Sequence, residues 1–257
     1  MSKSRFSIFN QFASAIVLVA MYLGVDVIFH GTSPLIHASF RFVFALIVAG
    51  IVYYIIGADK LRNSHVKYRK STKVWCFLLV LAALLVFRNV TGQIIQVLGS
   101  KTLIGDTFMA LSAGICEEFL FRGLLLSSCL CVFNRHRLRY TLAACSSSAL
   151  FGLFHFVNAL HQPLNTTVQQ VIYAFVLGLL LASIRIATNT MGWNVLLHSL
   201  FDWSAGLSVN PSLSGITPWT PFIIIWGLVF LVALFFLISF DHNANDSHLS
   251  KTYSLGN

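Results

Sequence analysis

The sequence predicts an all-α, polytopic membrane protein of about eight transmembrane helices around a central helical catalytic core. Three observations carry that expectation. The 257 residues are 57% hydrophobic and only 10% charged, with a mean hydropathy of +0.79, which is more apolar than a soluble core of this length needs. Apolar stretches close to the ~20 residues required to cross a bilayer recur from end to end. Lysine and arginine gather in every second connection between them, as the positive-inside rule expects of a multi-pass chain.

The first span is placed at about 8–29, after Lys3 and Arg5. No small-residue cleavage site follows its apolar run, so it reads as a retained span and not a signal peptide. The second covers 37–57, with Arg41 just inside it, and leads into a basic connection holding Lys60, Arg62, Lys67, Arg69, Lys70 and Lys73. The third, 74–98, is interrupted in its second half by Arg88, Asn89, Gln93 and Gln96, and Lys101 follows it. Arg88 is expected to snorkel or pair locally. The fourth covers 103–131; Arg135, Arg137 and Arg139 separate it from the fifth at 139–157. The sixth, 167–187, ends on Arg185. The seventh, 190–208, is short and opens on a Gly-Trp pair, and the eighth covers 219–240.

Residues 1–240 therefore form one integral-membrane domain, with a catalytic core at about 103–208. The polar stretch 241–257 is expected to be a disordered cytoplasmic tail. Eight spans with alternating basic connections place both termini in the cytoplasm. The net charge of +9 sits in those connections and forms no basic face, so nucleic acid is not an expected partner. Cys76, Cys116, Cys129, Cys131 and Cys145 all lie in apolar segments, with no CxxC spacing. They read as small residues inside helices, not as a disulfide or metal framework.

Ionisable groups inside spans are costly, which makes them functional candidates. They form three clusters: Glu117, Glu118 and Arg122 on the fourth span, His155 in the "FGLFHF" run of the fifth, and His198 with Asp202 in the "HSLFDW" run of the seventh. Glu117 and Glu118 are the only glutamates in the chain. Adjacent helical positions point about 100° apart, so the two acids are expected to serve different places. Glu118 precedes Arg122 by four residues, the favourable order for an ion pair.

Glu117 then needs another partner. If the fourth and fifth spans form a hairpin turning near His136, Glu117 and His155 each lie 19 positions from the turn and share a depth. A glutamate beside a histidine in apolar surroundings can take a proton from water. His198 and Asp202 share one helix face, and a histidine held by an acid can donate to a developing oxyanion. Singly, each cluster has a structural explanation: an ion pair, an interior histidine, an interhelical clamp. Together they make a peptide-hydrolysing constellation. His30, His37 and His161 fall near span ends and read as interfacial.

The order EExxxR, FxxxH and HxxxD resembles the intramembrane proteases related to the CAAX-processing endopeptidase, the CPBP or Abi family. The motifs read Glu117-Glu118-Phe-Leu-Phe-Arg122, Phe151-Gly-Leu-Phe-His155 and His198-Ser-Leu-Phe-Asp202, and span 114–203. The resemblance implies that Glu117 and His155 activate the attacking water. It implies that His198 and Asp202 stabilise the oxyanion, while Glu118 and Arg122 position the site or the substrate. Many relatives have asparagine where this chain has Asp202. An ionised carboxylate cannot donate to an oxyanion, so Asp202 is expected to orient His198 and leave the donating to it.

No HExxH is present, and the resemblance implies a glutamate-dependent mechanism without cofactor; a divalent metal such as zinc is the alternative. The implied partners are the lipid bilayer and a peptide or protein substrate, among them a bacteriocin or its membrane receptor. The resemblance also implies a bacterial plasma-membrane protein serving bacteriocin self-immunity or peptide processing. The competing class is a non-catalytic immunity protein that binds a bacteriocin or its receptor. A proton-relay transporter would show an internal repeat, and none is visible. Nineteen helical residues rise roughly 28 Å from the basic turn, which predicts a site nearer the outer leaflet.

Overall fold

The structure, a computed structural model, describes residues 6–29, 31–57, 60–62, 66–209 and 217–254, with side chains to Asn245 in the last helix. Lys3, Arg5, His30 and residues 255–257 lie outside the described residues.

The described residues build helices and no strand. In chain order these are α1 (Ile8–Ile28), α2 (Pro34–Ile56), α3 (Lys70–Val86), α4 (Val90–Leu98) and α5 (Leu103–Glu118). The backbone then widens into a π-helical segment, Phe119–Leu125, before resuming as α6 (Leu126–Val132). α7 (Arg139–Phe154) tightens into a 3₁₀ segment, His155–Leu160, and is followed by α8 (Leu164–Thr188), α9 (Gly192–Asp202) and α10 (Trp219–Ser254). Phe9, Val27, Ile47, Leu153 and Ile224 are each more than half exposed. Such outward-facing apolar side chains are tolerated where the solvent is lipid.

Five of these helices are long and apolar enough to cross a membrane, or six if the bent pair α3–α4 is one span. The expected eight are thus not matched by length and composition. The third expected span breaks at Phe87–Asn89, where the two helices meet at 42° and Arg88 bonds the Leu85 carbonyl at 3.1 Å. The seventh becomes α9, an 11-residue helix that rises only about 16 Å. It packs against α5 and α8. The fourth is the α5–π–α6 rod, whose hydrogen-bond pattern changes next to the two glutamates.

The expected boundary at 240 also moves, because α10 continues through the polar residues to Ser254. The first turn of α7 has no local side-chain cap, so its amides need a partner from elsewhere. Asp241 supplies it, accepting from Tyr140 N at 3.0 Å and Thr141 N at 2.9 Å. Asn243 accepts from Arg69 N at 2.7 Å and donates to Lys67 O at 3.0 Å. Polar residues that look like a loose tail are thereby caps for distant segments. Asp241→Ala is expected to lower stability by about 1–2 kcal/mol, read as a fall in the thermal midpoint of the purified protein, and Asp241→Asn should recover part of the loss.

Candidate active site

Three helices bring the polar clusters together. Glu117 and Glu118 end α5, Arg122 lies in the π segment, and His198 and Asp202 belong to α9. α9 can approach because position 114 is glycine. A Cβ built there would lie 2.2 Å from Ser199 Oγ and 2.9 Å from Ser199 N, so any larger residue would push α9 off α5.

Glu118 is fully buried and accepts from three directions. Arg122 Nη1 donates to Oε1 at 2.8 Å, as the i,i+4 spacing predicted. Asn194 Nδ2 donates to Oε2 at 3.2 Å and also to Leu181 O at 2.8 Å. His198 Nδ1 lies 2.6 Å from Oε1; a carboxylate offers no hydrogen, so this nitrogen is the donor. Arg122 stacks over the Phe151 ring at 4.2 Å. It is backed by Gly178 of α8, where a Cβ would lie 2.9 Å from its Nη2.

The other ring nitrogen of His198 faces the second glutamate. Nε2 is 3.7 Å from Glu117 Oε2 and 3.5 Å from Asp202 Oδ2. Glu117 and Glu118 thus occupy different places, as their spacing on the helix predicts, on opposite edges of one imidazole. Their side chains diverge, but a ring entering from a third helix is wide enough to meet both. The acid hydrogen-bonded to Nδ1 is Glu118; Asp202, expected to orient His198, lies at the Nε2 edge and its side chain is 31% exposed.

Glu117 is buried, and its Oε2 has no hydrogen-bond partner among the described residues. His155, which follows α7 directly, lies within electrostatic reach of Glu117. Its Nδ1 donates to Phe151 O at 2.9 Å. That bond fixes the ring and leaves Nε2 as the nitrogen able to accept a proton from water. Phe151 and Phe154 pack against the His155 ring at centroid distances of 4.7 and 5.5 Å, giving it apolar walls.

Asn194 was missed by the sequence reading. The available signal was the i, i+4, i+8 series Asn194, His198, Asp202 on one helix face. His37, read as interfacial, instead bonds Asp26 at 3.0 Å. Among the described residues no three His, Cys, Asp or Glu side chains converge as ligands for a metal ion such as zinc. Glu118 is already held by an arginine, an amide and an imidazole.

A family model described as type II CAAX prenyl endopeptidase Rce1-like matches residues 75–204. No curated protein and no solved structure matches the chain. The matched segment contains every residue of the site described above and leaves α1 and α2 outside it.

Proposed function

The chain belongs to the Rce1-like type II CAAX prenyl endopeptidase family, and on that premise we propose a water-activating, metal-independent mechanism of peptide hydrolysis centred on Glu117, His155 and His198. Family membership makes the chain a membrane protease; the assignment of roles and of substrate is our reading. The observation that carries it is the pairing of Glu117, whose buried carboxylate oxygen lacks a hydrogen bond among the described residues, with the facing Nε2 edge of His198.

In this mechanism Glu117 and His155 hold the attacking water. Glu117 takes one of its protons as the oxygen bonds to the scissile carbonyl carbon. The carbonyl electron pair moves onto its oxygen, which accepts a hydrogen bond from His198 Nε2–H. Glu118 holds His198 by Nδ1, and Arg122 and Asn194 hold Glu118, so the donor is preorganised. The tetrahedral intermediate then collapses, the C–N bond breaks, and the proton on Glu117 passes to the departing amine. Asp202, beside the donor and partly open, fits a role in positioning the proton on Nε2.

The proposed setting is the bacterial plasma membrane, with the chain crossing it several times and both termini cytoplasmic. The proposed role is bacteriocin self-immunity or peptide processing. That assignment rests on family kinship alone. The test expresses the chain and its Glu117→Gln variant at equal membrane levels in a bacteriocin-sensitive host. Chain-dependent new N-termini in the membrane proteome, and protection against the bacteriocin, are both expected and are both expected to vanish in the variant. New N-termini that persist in Glu117→Gln overturn the mechanism. Protection that persists without cleavage overturns proteolytic immunity in favour of a binding protein.

A further inference from the structure

A second polar cluster lies on α1 and α2, outside the segment that the family model matches. Arg41 donates through Nη1 to Asp26 and through Nη2 to the Tyr22 hydroxyl. Its guanidinium lies over the Tyr22 ring at 4.5 Å, and His37 bonds the same Asp26 oxygen at 3.0 Å. None of these residues belongs to the hydrolytic machinery, yet the cluster sits beside it.

The register of the helices shows why. α1 packs against the π segment and α6, where Ser128 Oγ donates to Gln11 Oε1 at 2.8 Å. Eleven residues along α1 from Gln11 is Tyr22; eleven residues back from Ser128 is Glu117. The helices run antiparallel, so Tyr22 and Glu117 share a level. Tyr22 and Arg41 accordingly both interact with Glu117 through space.

Arg41 has unused capacity. A guanidinium carries five N–H donors, and Asp26 and Tyr22 engage Nη1 and Nη2. Nε is buried and has no hydrogen-bond partner among the described residues, an unmet donor, while 13% of the side chain as a whole stays exposed. A structural ion pair alone would not need a planar fork held by two anchors on a neighbouring helix with one edge spare. Such an edge is suited to a carboxylate.

We propose that Arg41, held by Asp26 and Tyr22, binds a carboxylate of the peptide to be cut and thereby positions its backbone beside Glu117. The inference rests on the protease reading of the Glu117 site. It assigns a specificity role to α1 and α2, which lie outside the family-matched segment. The carboxylate is either the peptide's own C-terminus or an acidic side chain near it, and the two sources can be separated.

The test measures binding to the full chain in phosphatidylcholine nanodiscs, in a Glu117→Gln background so that no probe is consumed. The probes are a fluorophore-labelled short apolar peptide with a free C-terminal carboxylate, its C-terminal amide, and the amide carrying one aspartate next to the last residue. One or both acid-bearing probes should bind about tenfold to hundredfold more tightly than the plain amide. Preference for the first alone assigns the C-terminus as the ligand; preference for the aspartate probe assigns the side chain. Arg41→Gln should abolish the preference, Arg41→Lys should retain part of it, and Tyr22→Phe should weaken it while keeping the charge. An acid preference that survives Arg41→Gln overturns the proposal, as does no preference at all. Cleavage by the chain with Glu117 intact is scored separately, so failure of hydrolysis and failure of carboxylate recognition are distinct results.

Discussion

Arg122→Met is expected to destabilise the protein by about 3–5 kcal/mol, the largest stability loss from any single substitution in the site. The reason is an uncompensated buried charge. Glu118 and Arg122 are both fully buried, and deleting the arginine leaves a carboxylate in apolar surroundings with only Asn194 and His198 to hold it. The stacking of Arg122 on Phe151 is lost at the same time. The measurement is thermal unfolding of the purified protein in detergent, with retention of the monodisperse peak as the readout. The double variant Glu118→Gln/Arg122→Met removes both charges together and should recover roughly half of the loss. If the double variant is less stable than Arg122→Met, the ion-pair explanation is wrong and shape complementarity against Phe151 and Gly178 dominates.

His198 gives the second large effect, and two substitutions separate its two jobs. His198→Ala removes the donor to Glu118 and the group facing Glu117, so both stability and cleavage should fall. His198→Gln can still donate a hydrogen bond to Glu118 but offers no protonated ring at the Nε2 position. It should keep most of the stability while losing about 100-fold to 10,000-fold in cleavage rate. Equal cleavage by His198→Gln and the wild type, at equal folded amounts, would remove His198 from the mechanism.

The sequence was most legible where the physics is local. Glu118 and Arg122 pair because they are four residues apart on one chain segment, and a buried acid without a cation four residues away would have been anomalous. His155 comes within electrostatic reach of Glu117, in keeping with a hairpin that equalises residues counted from its turn. The sequence was least legible across helices. Adjacent side-chain directions pointed to separate duties for Glu117 and Glu118, but nothing local reveals the ring arriving from α9 that meets Glu117 at one nitrogen and Glu118 at the other. Asn194 was hidden for the same reason, since its bond to Glu118 crosses between helices.

Hydropathy predicts eight spans, whereas five or six helices among the described residues have the length and composition of one. α9 has 11 residues, fewer than the ~20 of a full crossing. It buries Asn194, His198 and Ser199 while exposing Trp193 and Leu196, an apolar outer face that a hydropathy window scores as a span. Asp241 and Asn243 were misread in the opposite direction. Their polarity suggests solvent, but their partners are the uncapped amides of α7 and the backbone around Arg69.

Composition and the ionisable residues within apolar runs determined the membrane class, the helical architecture and the identity of the polar clusters, because the cost of burying a charge is visible one residue at a time. Tertiary structure alone decided which acid holds His198, how far α9 reaches and that Tyr22 and Arg41 stand beside Glu117. Those outcomes depend on how closely two helices can approach. That distance is set by pairwise sterics at positions such as Gly114 and Gly178, whose partners are remote in sequence.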